Sequence, residues 1–431
     1  MRSRLRTRRL ALAAALVAAA AVMLLAGRVR ARPVSGPVAQ GMYVWQRQWD
    51  EPVAKALARA AGSAQGFTAL AAEVWWRGGR ARVTRVRLDY AALKTTRRPV
   101  GLALRLGSYA GPFDARAEAT VLIAGLARDL IREARAGGIE PAEVQVDFDC
   151  AASKLQGYRE WVSAVRTAAA SVPLTITALP SWLHERAFPD LARATDGYVL
   201  QVHSLEPPAG PGATMSLCDP EAARRWVEEA GKIGMPFRVA LPTYSYLAAF
   251  GEKGQVVWVS AEGPSRGWDR GTTLRLVRSH AAAMAGLVHA WQTARPAAMQ
   301  GILWYRMPVE GDRLNWTWPT LATVMTGMRP REELRVEVAY PEPELAEIVL
   351  VNAGLTDMLP ATCVEVGWES GELLGADGLR GYRVRQMSPT RLRLDCPEAA
   401  TVLAPGERWQ IGWLRFKQRA EVRAHVTTSQ R

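Results

Sequence analysis

Between residues 42 and 307 the chain repeats one pattern: short apolar or alternating runs, most of them separated by stretches with helical spacing. The runs are MYVWQRQW (42–49), FTALAAEVWW (67–76), VGLALRLG (100–107), EVQVDFD (143–149), LTITALPSW (174–182), GYVLQVHSL (197–205), FRVALPTYS (237–245) and GILWYRM (301–307). Between them, Leu122, Leu126 and Leu130 recur at every fourth position, and Gly137-Gly138 follows, which predicts a helix over 115–136. Asp219-Pro220 has the chemistry of an N-cap followed by proline at the first helical position, opening a second helix. Leu274–Ala294 is alanine-rich with Pro296 just beyond, and reads as one long helix. Residues 77–99 depart from the pattern; ARVTRVRLDYAALK reads as an extra strand and a short turn. Strands alternating with helices predict an α/β fold, a (β/α)₈ TIM-type barrel over 41–328. An open doubly wound sheet is the alternative, but no glycine-rich phosphate loop follows any run.

From Leu334 the texture changes to short strands punctuated by turn residues: LRVEVAY, AEIVLVNAG, TCVEVGW, GYRVRQM, RLRLDC and RWQIGWLRF. This predicts an all-β, sandwich-like accessory domain over 333–428.

Alternation then sorts the barrel residues. In each strand the apolar face meets helices, and the other face fills the barrel and opens at its C-terminal mouth. In EVQVDFDC, Val144, Val146 and Phe148 take one face, and Gln145, Asp147 and Asp149 take the other. A buried strand does not hold two carboxylates without partners or a use for them. The same rule turns Glu73 inward, with Leu70, Ala72 and Val74 on the apolar face. It puts Arg105 with Ala103 and Gly107, Ser181 with Thr175 and Thr177, and Gln201 with His203, and it brings Tyr244 to the end of the seventh strand. The eighth ends in Trp304-Tyr305-Arg306 with its phase open. Arg105 lies on the strand next to Asp147, so it is expected to keep Asp147 ionised while Asp149 holds a proton and is the more buried of the two.

Composition changes this picture in three ways. First, there are 16 tryptophans, and Trp45, Trp49, Trp75, Trp76, Trp182 and Trp304 fall near strand ends. Indole faces stack on sugar rings, so this abundance beside carboxylates favours a glycan ligand over a phosphate or an ester. Second, the net charge is +14, of which eight arginines in residues 1–32 carry +8. The rest is mildly basic, without a lysine/arginine block interleaved with aromatics, so nucleic acid is not an expected partner. Third, those arginines flank an apolar run, Leu10–Ala26, which reads as a signal peptide or N-terminal anchor over 1–32, with 33–40 as linker. The expected location is periplasmic or extracellular, with the segment either cleaved or kept as an inner-membrane anchor. Of the four cysteines, Cys363 and Cys396 share the small domain and form the expected disulfide; Cys150 and Cys218 make a less secure pair. No CxxC or Cys/His cluster appears, so no metal or cofactor is expected.

VQVDFDCAASKLQGYREWV, ALPSWL, GYVLQVHSL, LVNAGLTD and IGWLRF resemble an uncharacterised bacterial family, domain of unknown function 3142. That resemblance implies an exported glycosidase-like barrel with a small β module, and it carries no established activity. The fourth strand also faintly resembles family-eighteen chitinases, whose strand ends in D-x-D-x-E. Asp147 and Asp149 match the aspartates, whereas Ala151 stands in place of the glutamate.

The expected function is therefore a metal-independent, glycoside-hydrolase-like protein acting on or binding an envelope or extracellular polysaccharide. Asp149 is the expected general acid and Asp147 its electrostatic partner. Residues i and i+2 of one strand cannot flank a sugar from both sides, so the second carboxylate, base or nucleophile, must come from another wall. Glu73 is the first choice, with Glu206 and Glu310 as alternatives. Arg105, Gln201, His203, Tyr244, Trp182 and Trp304 are the expected substrate-binding residues, with Trp304 as the sugar platform. The alternative is a glycan-binding or scaffold protein with a degenerate site.

Overall fold

The computed structural model describes residues 32–204, 210, 212, 216–261, 268–269, 271–396 and 402–427. Nearly all of the stretch expected to be a signal peptide or N-terminal anchor, and Glu206, lie outside the described residues. Among the described residues no helix is long and apolar enough to cross a membrane.

Eight parallel strands close into a barrel. They are β1 (Ala39–Val44), β2 (Phe67–Arg77), β3 (Val100–Leu106), β4 (Glu143–Phe148), β5 (Leu174–Ala178), β6 (Gly197–Gln201), β7 (Phe237–Pro242) and β8 (Met299–Tyr305). Each pairs with the next, and β8 pairs with β1 to complete the ring. The helices α1 (Glu51–Ala60), α2 (Tyr90–Thr95), α3 (Glu118–Ala136), α4 (Leu155–Ala169), α5 (Phe188–Arg193), α6 (Pro220–Ile233), α7 (Ala281–Thr293) and α8 (Trp318–Met325) follow the strands in turn. The fold is therefore the expected TIM-type barrel.

Local chemistry accounts for the element boundaries. Asp219 caps α6 through the amides of Glu221 (2.8 Å) and Ala222 (3.2 Å), Pro220 opens it, and Gly234 closes it at φ 76°. That satisfies donors the first turn leaves unpaired and uses a left-handed position that favours glycine. Residues 80–85 form a strand antiparallel to β2, as the pattern there foretold, while the short turn expected after it is instead the helix α2. The long helix read over 274–294 is corrected. Thr273–Arg278 is a strand of a three-stranded antiparallel sheet, with Ser245–Phe250 and Val256–Ser260, and the helix begins at Ala281. The alternation of Thr-Leu-Arg-Leu-Val-Arg favours the strand, and His280 caps α7.

One irregularity matters for the site. The pairing of β2 with β3 slips at Ala71: Leu70 lies opposite Ala103, and Ala72 lies opposite Leu104. This bulge reverses the strand's phase. Leu70 is on the inward face with Thr68, contrary to the expectation of an unbroken strand, and only beyond the bulge do Glu73 and Trp75 turn inward.

After α8 two four-stranded antiparallel sheets face each other. One contains Leu334–Glu342, Leu345–Asn352, Arg408–Phe416 and Leu373–Gly378; the other contains Arg383–Ser388, Arg391–Asp395, Cys363–Trp368 and Val422–Val426. Val364, Val366, Ile411, Leu414 and Phe416 sit in their shared core. A clasp joins this module to the barrel. Thr317, at the start of α8, makes no side-chain cap of its own. Asp357 of the module accepts the Thr317 amide (2.7 Å) and hydroxyl (2.6 Å), and its own amide donates to the Thr320 hydroxyl (2.8 Å).

All four cysteines are buried and none is joined in a disulfide, which corrects the expected pairing. Cys363 pairs with Asp395 across the sheet. Neighbouring residues on a strand point to opposite faces, so Cys396 enters the sandwich core while Cys363 lies on the other side.

Candidate active site

The inward face of β4 carries Glu143, Gln145 and Asp147, and Asp149 follows where the strand ends. Each level is held differently. At the N-terminal end, Glu143 accepts hydrogen bonds from Thr68 (3.3 Å), Thr175 (3.0 Å) and Arg238 (2.5 Å). This level borders a cavity of about 290 Å³ lined by both members of the ion pair and by glycines of β1, β3 and β8. One level up, Gln145 accepts from the Tyr43 hydroxyl at 2.6 Å and donates to Thr175 at 3.4 Å. Above these lies the C-terminal mouth.

At the mouth Asp147 is 9% exposed, and its Oδ1 accepts from the Thr177 hydroxyl at 2.8 Å. The Gln201 amide lies between the two aspartates, 3.1 Å from Asp149 Oδ1 and 3.5 Å from Asp147 Oδ1. Arg105 stands opposite Asp147 in register, with Nε 4.0 Å from Asp147 Oδ2. Asp149 is exposed to the cleft, so the expectation that it is the more buried aspartate is reversed. Burial still governs its titration: the surrounding walls withdraw bulk water from the carboxyl, the charge of Asp147 adds to the effect, and the carboxyl is pushed up to about 6. Asp147 is also raised by burial, against the opposing pull of Arg105 and the Thr177 hydroxyl. The two acids thus favour holding a proton between them, with Asp149 at the accessible end.

Glu73 reaches the same mouth, almost fully buried at 3% exposure, but both of its oxygens are occupied. Arg47 binds them in bidentate fashion, Nε to Oε2 at 2.7 Å and Nη2 to Oε1 at 3.0 Å. Sequence reasoning passed over Arg47 because it lies beyond the end of β1, where alternation no longer assigns a side.

The opposite wall is aromatic. Tyr305 takes the inward phase of β8, which settles the ambiguity there. Its ring lies 5.6 Å from His203 (stacked), 5.5 Å from Tyr244 and 5.3 Å from Trp45. His203 Nδ1 pairs with the Tyr244 hydroxyl at 3.3 Å, and burial pushes this imidazole down to about 4, so it is neutral near pH 7. Tyr244 is itself 2% exposed, so it supports His203 instead of facing a ligand.

Two further expected ligand contacts are corrected. Trp304 takes the outward phase, is fully buried, and donates its indole N–H to Gln40 at 2.9 Å beneath the helical layer. Trp182 is 1% exposed and donates to the Cys150 carbonyl at 3.1 Å, packed against Tyr158 and Phe188. The exposed indole at the mouth is Trp75, 43% exposed. A Cβ on Gly107 would come within 2.2 Å of its ring, so glycine at 107 is what makes room for the indole just beyond the end of β3. The Arg105 guanidinium lies over the same ring at 5.5 Å. Among the described residues no cluster of three His, Cys, Asp or Glu side chains could hold a metal ion.

Residues 96–310 match the model of a family described as Domain of unknown function (DUF3142). No curated protein matches the chain. Among solved structures, the Bacillus cereus spore cortex-lytic enzyme SleL is 13% identical, with a TM-score of 0.48 over 68% of this chain and 75% of that one. The Bacillus megaterium SleL is 12% identical, with a TM-score of 0.49 over 68% and 75%. A chitinase from Chromobacterium violaceum is 14% identical, with a TM-score of 0.46 over 67% and 98%. These likenesses assign no activity to this chain.

Proposed function

The chain belongs to the DUF3142 family through residues 96–310, and from that premise we propose that it is an exported glycoside hydrolase acting on an envelope or extracellular polysaccharide. The observation that carries the reading is the aspartate pair bridged by Gln201 at the barrel mouth, with a carboxyl at its open end raised to about 6. A carboxylic acid poised near the working pH is what protonation of a glycosidic oxygen requires. Asp149 donates its proton to that oxygen as the bond to the anomeric carbon breaks. Asp147, in its ionised form, offsets the positive charge developing on the sugar. Water then adds to the anomeric carbon, and its proton returns to the Asp149 carboxylate. Trp75 offers the exposed face on which a sugar ring stacks. Glu73, tied on both oxygens, serves to orient Arg47 and leaves the attack on the sugar to water.

The test is release of reducing ends from purified envelope and extracellular polysaccharides. Asp149→Asn is expected to lower the rate by about 10²–10⁴-fold, the usual contribution of a general acid. Binding is expected to stay within about threefold, since the acid acts in the transition state. The wild-type rate is expected to fall as pH rises through about 6, because the acid form of Asp149 is lost there. Export rests on the arginine-flanked apolar segment, and recovery of the protein only from the cytoplasm of its host would refute it.

A second reading has its own support. With Glu73 engaged by Arg47, and Ala151 where the chitinase-like pattern has glutamate, no second carboxylate among those placed at the mouth above is left unengaged within the described residues. A glycan-binding barrel without turnover accommodates this. Tight binding without cleavage of any polysaccharide, unchanged in Asp149→Asn, selects it.

A further inference from the structure

Arg105 is handled unlike Arg238 and Arg306, the other arginines buried on or just beyond the barrel strands. Arg238 donates to Glu143, and Arg306 makes two hydrogen bonds to Asp312. The Arg105 guanidinium makes no hydrogen bond within the described residues, although its side chain is only 31% exposed. Its surroundings leave one side open. Trp75 covers a face at 5.5 Å. The Nε edge is the part nearest Asp147, at 4.0 Å, too long for a hydrogen bond. The fork of Nη1 and Nη2 therefore has no hydrogen-bond acceptor among the described residues, on a guanidinium that feels Asp147, Tyr305, Glu73 and Asp149 as charged or ionisable neighbours.

A partly buried guanidinium without a protein acceptor is costly unless something else accepts from it. A planar fork of two N–H donors matches a planar carboxylate in bidentate fashion, a match that a single sugar hydroxyl cannot make. We infer that the Arg105 fork seats the carboxylate of a uronic acid residue, so that the substrate class is an acidic polysaccharide whose uronate ring lies against Trp75. The inference rests on the polysaccharide reading above and specifies its substrate. It also fits the chemistry: a carboxylate on Arg105 offsets the positive charge facing Asp149, which favours the protonated acid.

The experiment pairs each ligand with a neutral twin. Hexasaccharides of galacturonate, mannuronate, guluronate and glucuronate are titrated calorimetrically into the full chain, each beside its carboxyl-reduced counterpart. Wild-type protein is expected to bind at least one acidic form about 10–100-fold more tightly than its reduced twin, the range of a charge-assisted hydrogen-bonded contact. Arg105→Gln is expected to bring that ratio within about threefold, and Arg105→Lys to fall between, because lysine keeps the charge without the fork. The wild-type ratio alone tests the idea should Arg105→Gln not fold. Equal affinity for both members of every pair overturns the uronate assignment and leaves the polysaccharide reading intact, as does an acidic preference that persists in Arg105→Gln. Failure to bind any hexasaccharide in either form overturns the assignment, and failure also with the wider polysaccharide set overturns the reading beneath it.

Discussion

The inward face of β4 carries an acid near each end of the barrel, and the two ends treat it in opposite ways. At the N-terminal end Glu143 is saturated: two hydroxyls and Arg238 take its oxygens. At the C-terminal end Asp147 has one short bond from Thr177, a longer one from Gln201, and an arginine at 4.0 Å, while Asp149 beside it opens to the cleft. Residue types and spacing are alike; the number of partners is not. An ion pair whose hydrogen bonds close on the protein stiffens the barrel and has no capacity left for a ligand. One that leaves a guanidinium fork and a carboxyl unpaired keeps that capacity, at some cost in stability.

The comparison breaks most visibly in unfolding experiments. Glu143→Ala strands Arg238 in the barrel and is expected to cost about 3–5 kcal/mol in urea denaturation, the usual result of removing one partner of a buried pair. A cost below that of Asp147→Ala would reverse the assignment of structural and functional ends. Next in size is His203. Its folded value of about 4 lies below the ordinary 6.5, so the unfolded chain binds more protons between those values. Stability is therefore full above about 6.5 and is lost as pH falls toward 4, by up to about 3 kcal/mol. His203→Gln should flatten that slope in a pH series of thermal melts. Asp357→Ala, which uncaps α8, is expected to cost about 1–2 kcal/mol. Smallest is Arg105→Gln: a partly exposed pair at 4.0 Å is expected to contribute less than about 1 kcal/mol to folding, so its loss should be felt by ligands and hardly by denaturant. A destabilisation as large as that of Glu143→Ala would make Arg105 a structural residue.

Much of this was legible in the sequence because strand alternation is a rigid rule. Val144, Val146 and Phe148 against Gln145, Asp147 and Asp149 left one choice of faces, and the pairing of Arg105 with Asp147 followed from strand order. Alternation failed where the backbone departs from it. Glu73 does turn inward, but not through an unbroken strand: the bulge at Ala71 sets the phase. Trp304 and Tyr305 occupy adjacent positions with similar hydrophobicity, so nothing in their composition said which one met the helices. Trp75 was detectable from the phase of Glu73, two residues away, yet it was grouped with the other tryptophans. Arg47 and the strand Thr273–Arg278 were missed for different reasons: the first lies beyond a strand end, and the second runs into an alanine-rich helix that masks its two-residue period.

The clasp at Asp357 bears on how this protein can be cut and rearranged. The barrel's last helix takes its N-terminal cap from the following module, so the part of the gene that encodes the barrel does not encode everything the barrel needs. Transplanting the barrel into a fusion, or exchanging the β module for one from another protein, would separate α8 from the carboxylate that finishes it. No single seam spares both units: a chimera joined at the change of texture near residue 330 would need a new acceptor for Thr317, and one joined beyond Asp357 would part Leu345–Asn352 from its partner strand Arg408–Phe416.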